Sequence, residues 1–335
     1  MSRVSILGAG GWGIALSVLL NHNQHQVSLW EFDKDDFQML SKKRERKDKL
    51  PKVKIPQSVK ITNELKEALS NQEYICLALP SHTVRGVAKK IAPLLYGNPI
   101  VINLAKGIEN KTLCRMSEVL VGELPKKIRP NITTLSGPSH AEEVSRKVPT
   151  TVVVAGFNDK TTEKVQKLFM NEFFRVYTHH DLIGVELGGS LKNIIAIASG
   201  ICDGLGLGDN TKGALISRGL AEMIRLGEKL GADAKTFAGL SGVGDLITTC
   251  FSKYSRNRYV GEEIGKGRKL KDVLSKMSMV AEGVKTTRSA YRLSRKHKVE
   301  MPITHKVYQV LFEDKPPKLG LMELMTRQPK SEIWN

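Results

Sequence analysis

The 335-residue chain is 41% hydrophobic and 26% charged, with a formal net charge of +18. That length suggests about two domains and ample buried core, and the balance excludes a disordered or fibrous chain. The apolar runs read as too short for a membrane span, and "MSRVSILGAGGWG" passes from Met1 into a strand-like run with no signal-peptide core, so the expectation is a cytoplasmic protein.

The first half alternates strand and helix. "RVSILG" is a short apolar run ended by glycines, and a helix follows from Gly11 to about Asn21. "QVSLWE", "YICLALP", "PIVINLAKG", "ITTLSGP" and "TVVVAG" read as further strands, each stopped by charged or turn residues. Near-continuous apolar strands separated by helices predict a parallel sheet covered on both faces. From about Asp181 helical periodicity takes over, with helices expected over 182–201, 212–230, 255–264, 284–296 and 303–312. The expected organisation is an α/β, Rossmann-like domain over residues 1–180 and an all-α domain over 181–335. No Pro/Gly/Ser-rich linker separates them, so they are expected to pack together.

"GAGGWG" places Gly8, Gly10 and Gly13 in a G-x-G-x-x-G pattern, after a strand and at the start of a helix. In that context it is a dinucleotide fingerprint. Gly8 permits the tight turn, Gly10 lets the backbone approach a pyrophosphate, and Gly13 lets helix and strand pack closely. The helix N-terminus offers free N–H groups to the diphosphate. After the second strand come Glu31, Phe32 and Asp33, where a carboxylate would hold the ribose 2′-hydroxyl of NAD; a 2′-phosphate would prefer arginine.

"LGGSLKNIIAIASGICDG" (187–204) reads as an apolar helix with one lysine, Lys192, near its start. At 100° per residue, Gly188, Gly189, Lys192, Ile195, Ala196, Ser199 and Asp203 share one stripe. The glycines leave space beside the lysine or admit another backbone. A desolvated lysine has a lowered pKa and can exchange a proton near neutrality. From this segment alone, a snorkelling or ion-paired lysine stands equally beside that reading.

Other stretches add chemistry. Lys106 follows an apolar strand, at the end where such sheets bind ligands. "LSGPSHAEEV" ends a strand with Gly137, Pro138 and Ser139 and then starts a helix. "SGVGDLITTC" puts Asp245 in a glycine-rich turn. "SRNRYVG" offers Ser255, Arg256, Asn257 and Arg258 as a donor cluster for phosphate. The four cysteines show no metal or disulfide spacing and are expected to be reduced and buried; the eight histidines suggest no metal site. "KKRERKDK" (42–49) reads as a solvated helix end and loop, without the aromatics of a nucleic-acid surface.

With "LPSH", "AKGIE", "SGPSHAEEV", "GVELGGSLKNIIAIASGICDGL", "NTKGALISRGLAEM", "SGVGDLITTC", "SRNRYVG", "VAEGVKTT" and "MPI" in order from residue 8 to residue 303, the chain resembles the bacterial NAD(P)-dependent glycerol-3-phosphate dehydrogenases. The resemblance implies reversible reduction of dihydroxyacetone phosphate to sn-glycerol 3-phosphate for glycerophospholipid synthesis, with NAD or NADP as cofactor and no metal. It implies that Lys192 is the catalytic proton donor and acceptor. It places Lys106 against both cofactor and substrate, and Gly137, Ser139, Asp245, Ser255, Arg256 and Asn257 at the substrate, with Arg256 also near the cofactor. Cofactor contacts are implied at Gly8, Gly10, Gly11, Trp12, Gly13, Phe32, Ala141, Val280 and Glu282. Gly11 stands where many members have serine, and Phe32 where others often carry histidine or arginine, which speaks against a strong NADP preference. The implied partner is a small-molecule substrate, with a homodimer and weak attraction to anionic membranes as further readings and no nucleic acid. Two alternatives are a related two-domain hydroxy-acid dehydrogenase and a non-enzymatic nucleotide- or nucleic-acid-binding protein, the latter suggested by the charge.

Overall fold

The computed structural model describes residues 1–332. Its first part is built on eight strands: β1 (Arg3–Leu7), β2 (Gln26–Trp30), β3 (Lys60–Thr62), β4 (Tyr74–Leu77), β5 (Ile100–Asn103), β6 (Ile132–Ser136), β7 (Thr150–Gly156) and β8 (Phe174–His179). They form one sheet in the order β3-β2-β1-β4-β5-β6-β7-β8. The first six are parallel and follow the doubly wound dinucleotide-binding order. β4, β5 and β6 are almost wholly buried, as the continuous apolar runs require when helices cover both faces.

The sheet departs from expectation at its far edge. β7 ("TVVVAG") runs antiparallel to β6, and β8 then pairs parallel with β7. The segment joining β6 to β7 holds only the one-turn helix Ala141–Val144, which stays at the ends of the strands and makes no crossover. β3 and β8 gave no apolar signal because they are edge strands: β3 has three residues, and β8 turns Arg175 and Tyr177 outward.

From Leu182 onward the described residues form helices, principally Leu182–Gly204, Asp209–Lys229, Asp245–Phe251, Arg256–Gly265, Glu282–His297 and Pro302–Phe312. These agree with the expected helices within a few residues; Asp245–Phe251, Leu270–Ser275 and Pro317–Met325 are additional. The helix Leu182–Gly204 is the hub. Asp181 caps it by accepting from the Gly184 N–H at 2.8 Å. It is longer and more apolar than its sequence run suggested: by length and composition it could cross a membrane, yet 94% of its most apolar window is buried inside the protein. A helix apolar on every side belongs in a core, and here it is surrounded by the other helices. Lys192 lies at its middle, nearly three turns from the start.

Two carboxylates from the helical part hold the sheet part. Glu186 is buried and accepts from Arg115 Nη1 at 2.7 Å, from the Ser117 N–H at 2.8 Å and from Ser117 Oγ at 2.6 Å. Glu282 accepts from the Ser81 N–H at 2.9 Å and from Ser81 Oγ at 2.6 Å. The two parts are thereby fixed edge to edge, with a cleft between them. All four cysteines are free; Cys76, Cys202 and Cys250 are buried as expected, whereas Cys114 is half-exposed.

Candidate active site

A cavity of about 320 Å³ opens at the C-terminal ends of β1, β4, β5 and β6, against the helical part. On the sheet side it is lined by Gly10, Gly11, Trp12, Lys106, Ser139 and Ala141; on the helical side by Lys192, Asp245, Ser255, Arg256, Asn257, Val280 and Glu282. Four candidate residues are not on its wall. Gly8 and Gly13 lie beneath the turn, Gly137 is behind Ser139, and Phe32 stands outside, 67% exposed, with Lys90 over its ring.

The glycine turn has a physical cause at each position. Gly8 has φ +111°, and a Cβ there would sit 2.5 Å from the Ala78 carbonyl oxygen. A Cβ at Gly13 would sit 1.9 Å from the Gly8 carbonyl oxygen, so the helix can begin only with glycine there. Gly10 meets nothing within 4 Å, and no side chain caps the helix Gly11–His22. Its first turn is thus uncapped and lies on the cavity wall, the arrangement a diphosphate requires. These residues fit a dinucleotide.

The acidic end of β2 is already engaged. Glu31 is mostly buried and faces Arg46 Nη1 at 3.5 Å; the same guanidinium binds Asp36 at 3.0 Å and Asp48 at 3.0 Å. Burial raises the Glu31 carboxyl above its ordinary value. Asp33 caps the next helix by accepting from the Asp35 and Asp36 N–H groups. The "KKRERKDK" run is thus not simply a solvated face: Arg46 is 3% exposed because three carboxylates gather round it. Neighbouring Lys49 lines the cavity and donates to the Ser278 carbonyl across the cleft, and Ser278 Oγ donates to the Asp48 carbonyl at 3.1 Å.

The centre of the site is Asp245, buried at the start of its helix. Its Oδ1 accepts from Lys192 Nζ at 2.8 Å and its Oδ2 from Lys106 Nζ at 2.7 Å. Lys106 also donates to the Gly137 carbonyl at 2.8 Å, and Lys192 to Thr249 Oγ1 at 2.6 Å. The glycine stripe beside Lys192 admits a backbone: a Cβ at Gly188 would lie 2.5 Å from the Ser241 carbonyl oxygen. Burial lowers the Lys192 ammonium to about 8, with Lys106 assisting and Asp245 opposing. Burial also works against the Asp245 carboxylate, but the two lysines outweigh it and hold the group below its ordinary value. Snorkelling is therefore excluded for Lys192, and ion pairing and a lowered pKa occur together.

The phosphate-type donors are more divided than the run "SRNR" suggests. Ser255 Oγ caps its helix by accepting from the Arg258 N–H at 3.1 Å. Arg256 reaches toward the cavity and donates to the Val280 carbonyl at 3.0 Å. Asn257 donates to Asn193 Oδ1 and accepts from the Gly283 N–H, both at 2.8 Å. Arg258 turns away to Asp203 at 2.7 Å and Glu262 at 3.4 Å, so it leaves the donor cluster. Thr249, Asn193 and Ser81 are the parts sequence reading missed. Thr249 lies four residues after Asp245 on the same helical face, a spacing that could have revealed it. Nothing local marked Ser81 as the partner of Glu282. Among the described residues no group of three or more His, Cys, Asp or Glu side chains gathers as a metal site.

A doubly wound sheet with a glycine turn, joined to a helical part across a cleft that holds the buried Lys192 and the half-buried Lys106, defines a two-domain nicotinamide-dependent dehydrogenase. Models of the NAD-dependent glycerol-3-phosphate dehydrogenase N-terminus and C-terminus match residues 3–162 and 181–321. The chain belongs to the NAD-dependent glycerol-3-phosphate dehydrogenase family and is an oxidoreductase of that family. It is 54% identical to a glycerol-3-phosphate dehydrogenase [NAD(P)+] of Thermoanaerobacter sp. (strain X514), covering 99% of both chains. It is 50% identical to the protein of that name from Bacillus velezensis, covering 99% of this chain and 96% of the relative. The crystal structure of glycerol-3-phosphate dehydrogenase from Coxiella burnetii superposes with a TM-score of 0.93 at 36% identity, covering 97% of this chain and 99% of that one. Likeness over the whole length does not favour the hydroxy-acid dehydrogenase or the non-enzymatic alternative.

Proposed function

We propose that the chain interconverts dihydroxyacetone phosphate and sn-glycerol 3-phosphate with NAD(H) or NADP(H), in the service of glycerophospholipid synthesis. The observation that carries this reading is the Lys192–Asp245–Lys106 constellation opening into the same cleft as the glycine turn. A nicotinamide held at the glycine turn would supply the hydride for reduction at C2 and take it up in oxidation. Lys192 is the proton donor to the C2 oxygen during reduction and takes the proton back during oxidation. Asp245 and Thr249 fix its Nζ and keep the ammonium form in reach. Lys106, Gly137, Ser139, Ser255 and Asn257 shape the substrate end, and Arg256 binds the phosphate, so that anchoring energy orients C2. Gly8 and Gly13 form the turn that Gly10, Gly11 and Trp12 present to the cofactor; Ala141, Val280 and Glu282 border it, and Phe32 flanks the adenosine end. The division into domains at 1–180 and 181–335 is part of this proposal, the last three residues lying outside those described. So are a cytoplasmic location, a homodimer and a weak attraction to anionic membranes for the +18 charge, without nucleic acid as partner. Light scattering and flotation with anionic vesicles test the assembly and the membrane reading.

The direct test is loss of nicotinamide absorbance with dihydroxyacetone phosphate, run in parallel with NADH and NADPH. Consumption of either supports the reaction; consumption of neither by cofactor-binding protein overturns it. Two further outcomes are expected. Lys192 must be protonated to act in reduction, so kcat/KM for reduction falls as pH rises through about 8 while kcat/KM for oxidation rises toward a plateau. A kcat/KM for reduction that stays flat from pH 7 to 9 counts against Lys192 as the titrating group. Arg256→Leu is expected to raise KM for dihydroxyacetone phosphate by roughly 30-fold or more, as loss of a charge-assisted phosphate contact does. An unchanged KM removes Arg256 from the phosphate site.

A further inference from the structure

His140 stands between Ser139 and Ala141 on the sheet side of the cleft and lines the cavity. Its ring faces Tyr254 of the helical part, centroids 6.0 Å apart, so it meets the other wall just before Ser255 and Arg256. Its Nε2 is covered from solvent and has no hydrogen-bond partner in the protein. A buried polar atom without a partner is rare in a folded chain and calls for a specific cause. Tyr254 does not supply the bond; its hydroxyl accepts from Arg146 Nη2 at 3.2 Å. The charged groups that act on the imidazole are Lys192, Asp245, Lys106 and Arg256.

We propose that His140 is an additional substrate-binding residue, whose Nε2 finds its missing partner in an oxygen of the bound three-carbon phosphate ester. This rests on the function proposed above. Burial, followed by the charge of Lys192, lowers the imidazole to about 4, with Asp245 opposing and Lys106 and Arg256 adding to the effect. At neutral pH the ring is uncharged, so one nitrogen donates and the other accepts. It is thus an uncharged group set among the charged Lys192, Asp245, Lys106 and Arg256. A neutral group that can both donate and accept suits a substrate carrying a hydroxyl or carbonyl beside its phosphate. The substrate is favoured over the cofactor as partner because His140 follows Ser139 on the cavity wall and faces Tyr254, next to Ser255 and Arg256, the residues proposed to shape the substrate end.

The test compares His140→Phe and His140→Gln. Phenylalanine keeps a ring against Tyr254 and removes both nitrogens; glutamine keeps a polar amide near the Nε2 position. His140→Phe is expected to raise KM for dihydroxyacetone phosphate about tenfold, with KM for NADH changed less than twofold and kcat less than threefold. His140→Gln is expected to recover most of the loss in KM. A His140→Phe variant with an unaltered KM for dihydroxyacetone phosphate, or with both KM values raised together, overturns the inference. If the phenylalanine variant does not fold, the wild-type enzyme labelled at histidine Cε1 decides, with the resonance assigned by its loss in His140→Gln. That resonance shifts on addition of sn-glycerol 3-phosphate if the inference holds, and stays in place if it does not. Failure of the functional reading is distinct: the wild-type protein then consumes neither NADH nor NADPH with dihydroxyacetone phosphate.

Discussion

Lys192→Ala is expected to lower kcat for dihydroxyacetone phosphate reduction by about 10³ to 10⁴, near the upper end of what one general acid contributes. Hydride arrival at C2 would leave negative charge on its oxygen, and in the proposed mechanism the buried Lys192 ammonium is the acid that neutralises it. Its pKa of about 8 keeps it protonated at neutral pH yet able to give the proton up. The glycine turn lies on the other side of the cleft, so NADH should bind the variant with a Kd within about threefold of wild type, a difference below 1 kcal/mol. Fluorescence quenching by NADH and single-turnover kinetics separate the two effects. Turnover within tenfold of wild type would remove Lys192 from the chemistry. The surviving Lys106–Asp245 pair keeps Asp245 from becoming a buried carboxylate without a cation, so the variant should fold.

Gly261→Ala has the largest expected effect on stability. The helix Arg256–Gly265 meets the Lys192 helix backbone to backbone. A Cβ at Gly261 would lie 1.9 Å from the Ile197 carbonyl oxygen, and one at Gly200 would lie 1.9 Å from the Arg258 carbonyl oxygen. Gly204 and Gly265 repeat the contact one turn on. Backbone cannot yield as a flexible side chain can, so the methyl must separate the helices. The expected cost is about 3 kcal/mol or more, seen as a Tm lower by roughly 5–10 °C. Ser255, Arg256 and Asn257 ride on that helix, so KM for dihydroxyacetone phosphate should rise before NADH binding weakens. Gly213→Ala is the control: it lies within a helix and its Cβ meets nothing within 4 Å, so its stability should be unchanged or higher by up to about 1 kcal/mol. Equal melting of the two variants would show that the helices do not depend on the glycine contact.

The sequence by itself determined the features that are local. Apolar runs set β1, β2 and β4 to β6, because a strand buried on both faces must be apolar throughout. Gly8 and Gly13 set the dinucleotide turn, because no Cβ fits there. Helical period set the Lys192 helix and its glycine stripe. Tertiary structure decided what depends on residues far apart in the chain. Lys106, Lys192 and Asp245 look like three separate polar residues until the fold brings both lysines within 2.8 Å of the Asp245 carboxylate. The same holds for Arg46, called to the interior by three carboxylates, and for Arg258, drawn off the phosphate cluster by Asp203. The direction of β7 was also hidden, since an apolar run has the same pattern read either way. Periodicity records which face of an element is buried; it carries no record of which charge lies opposite, and that pairing holds Lys192 in place while burial lowers its pKa.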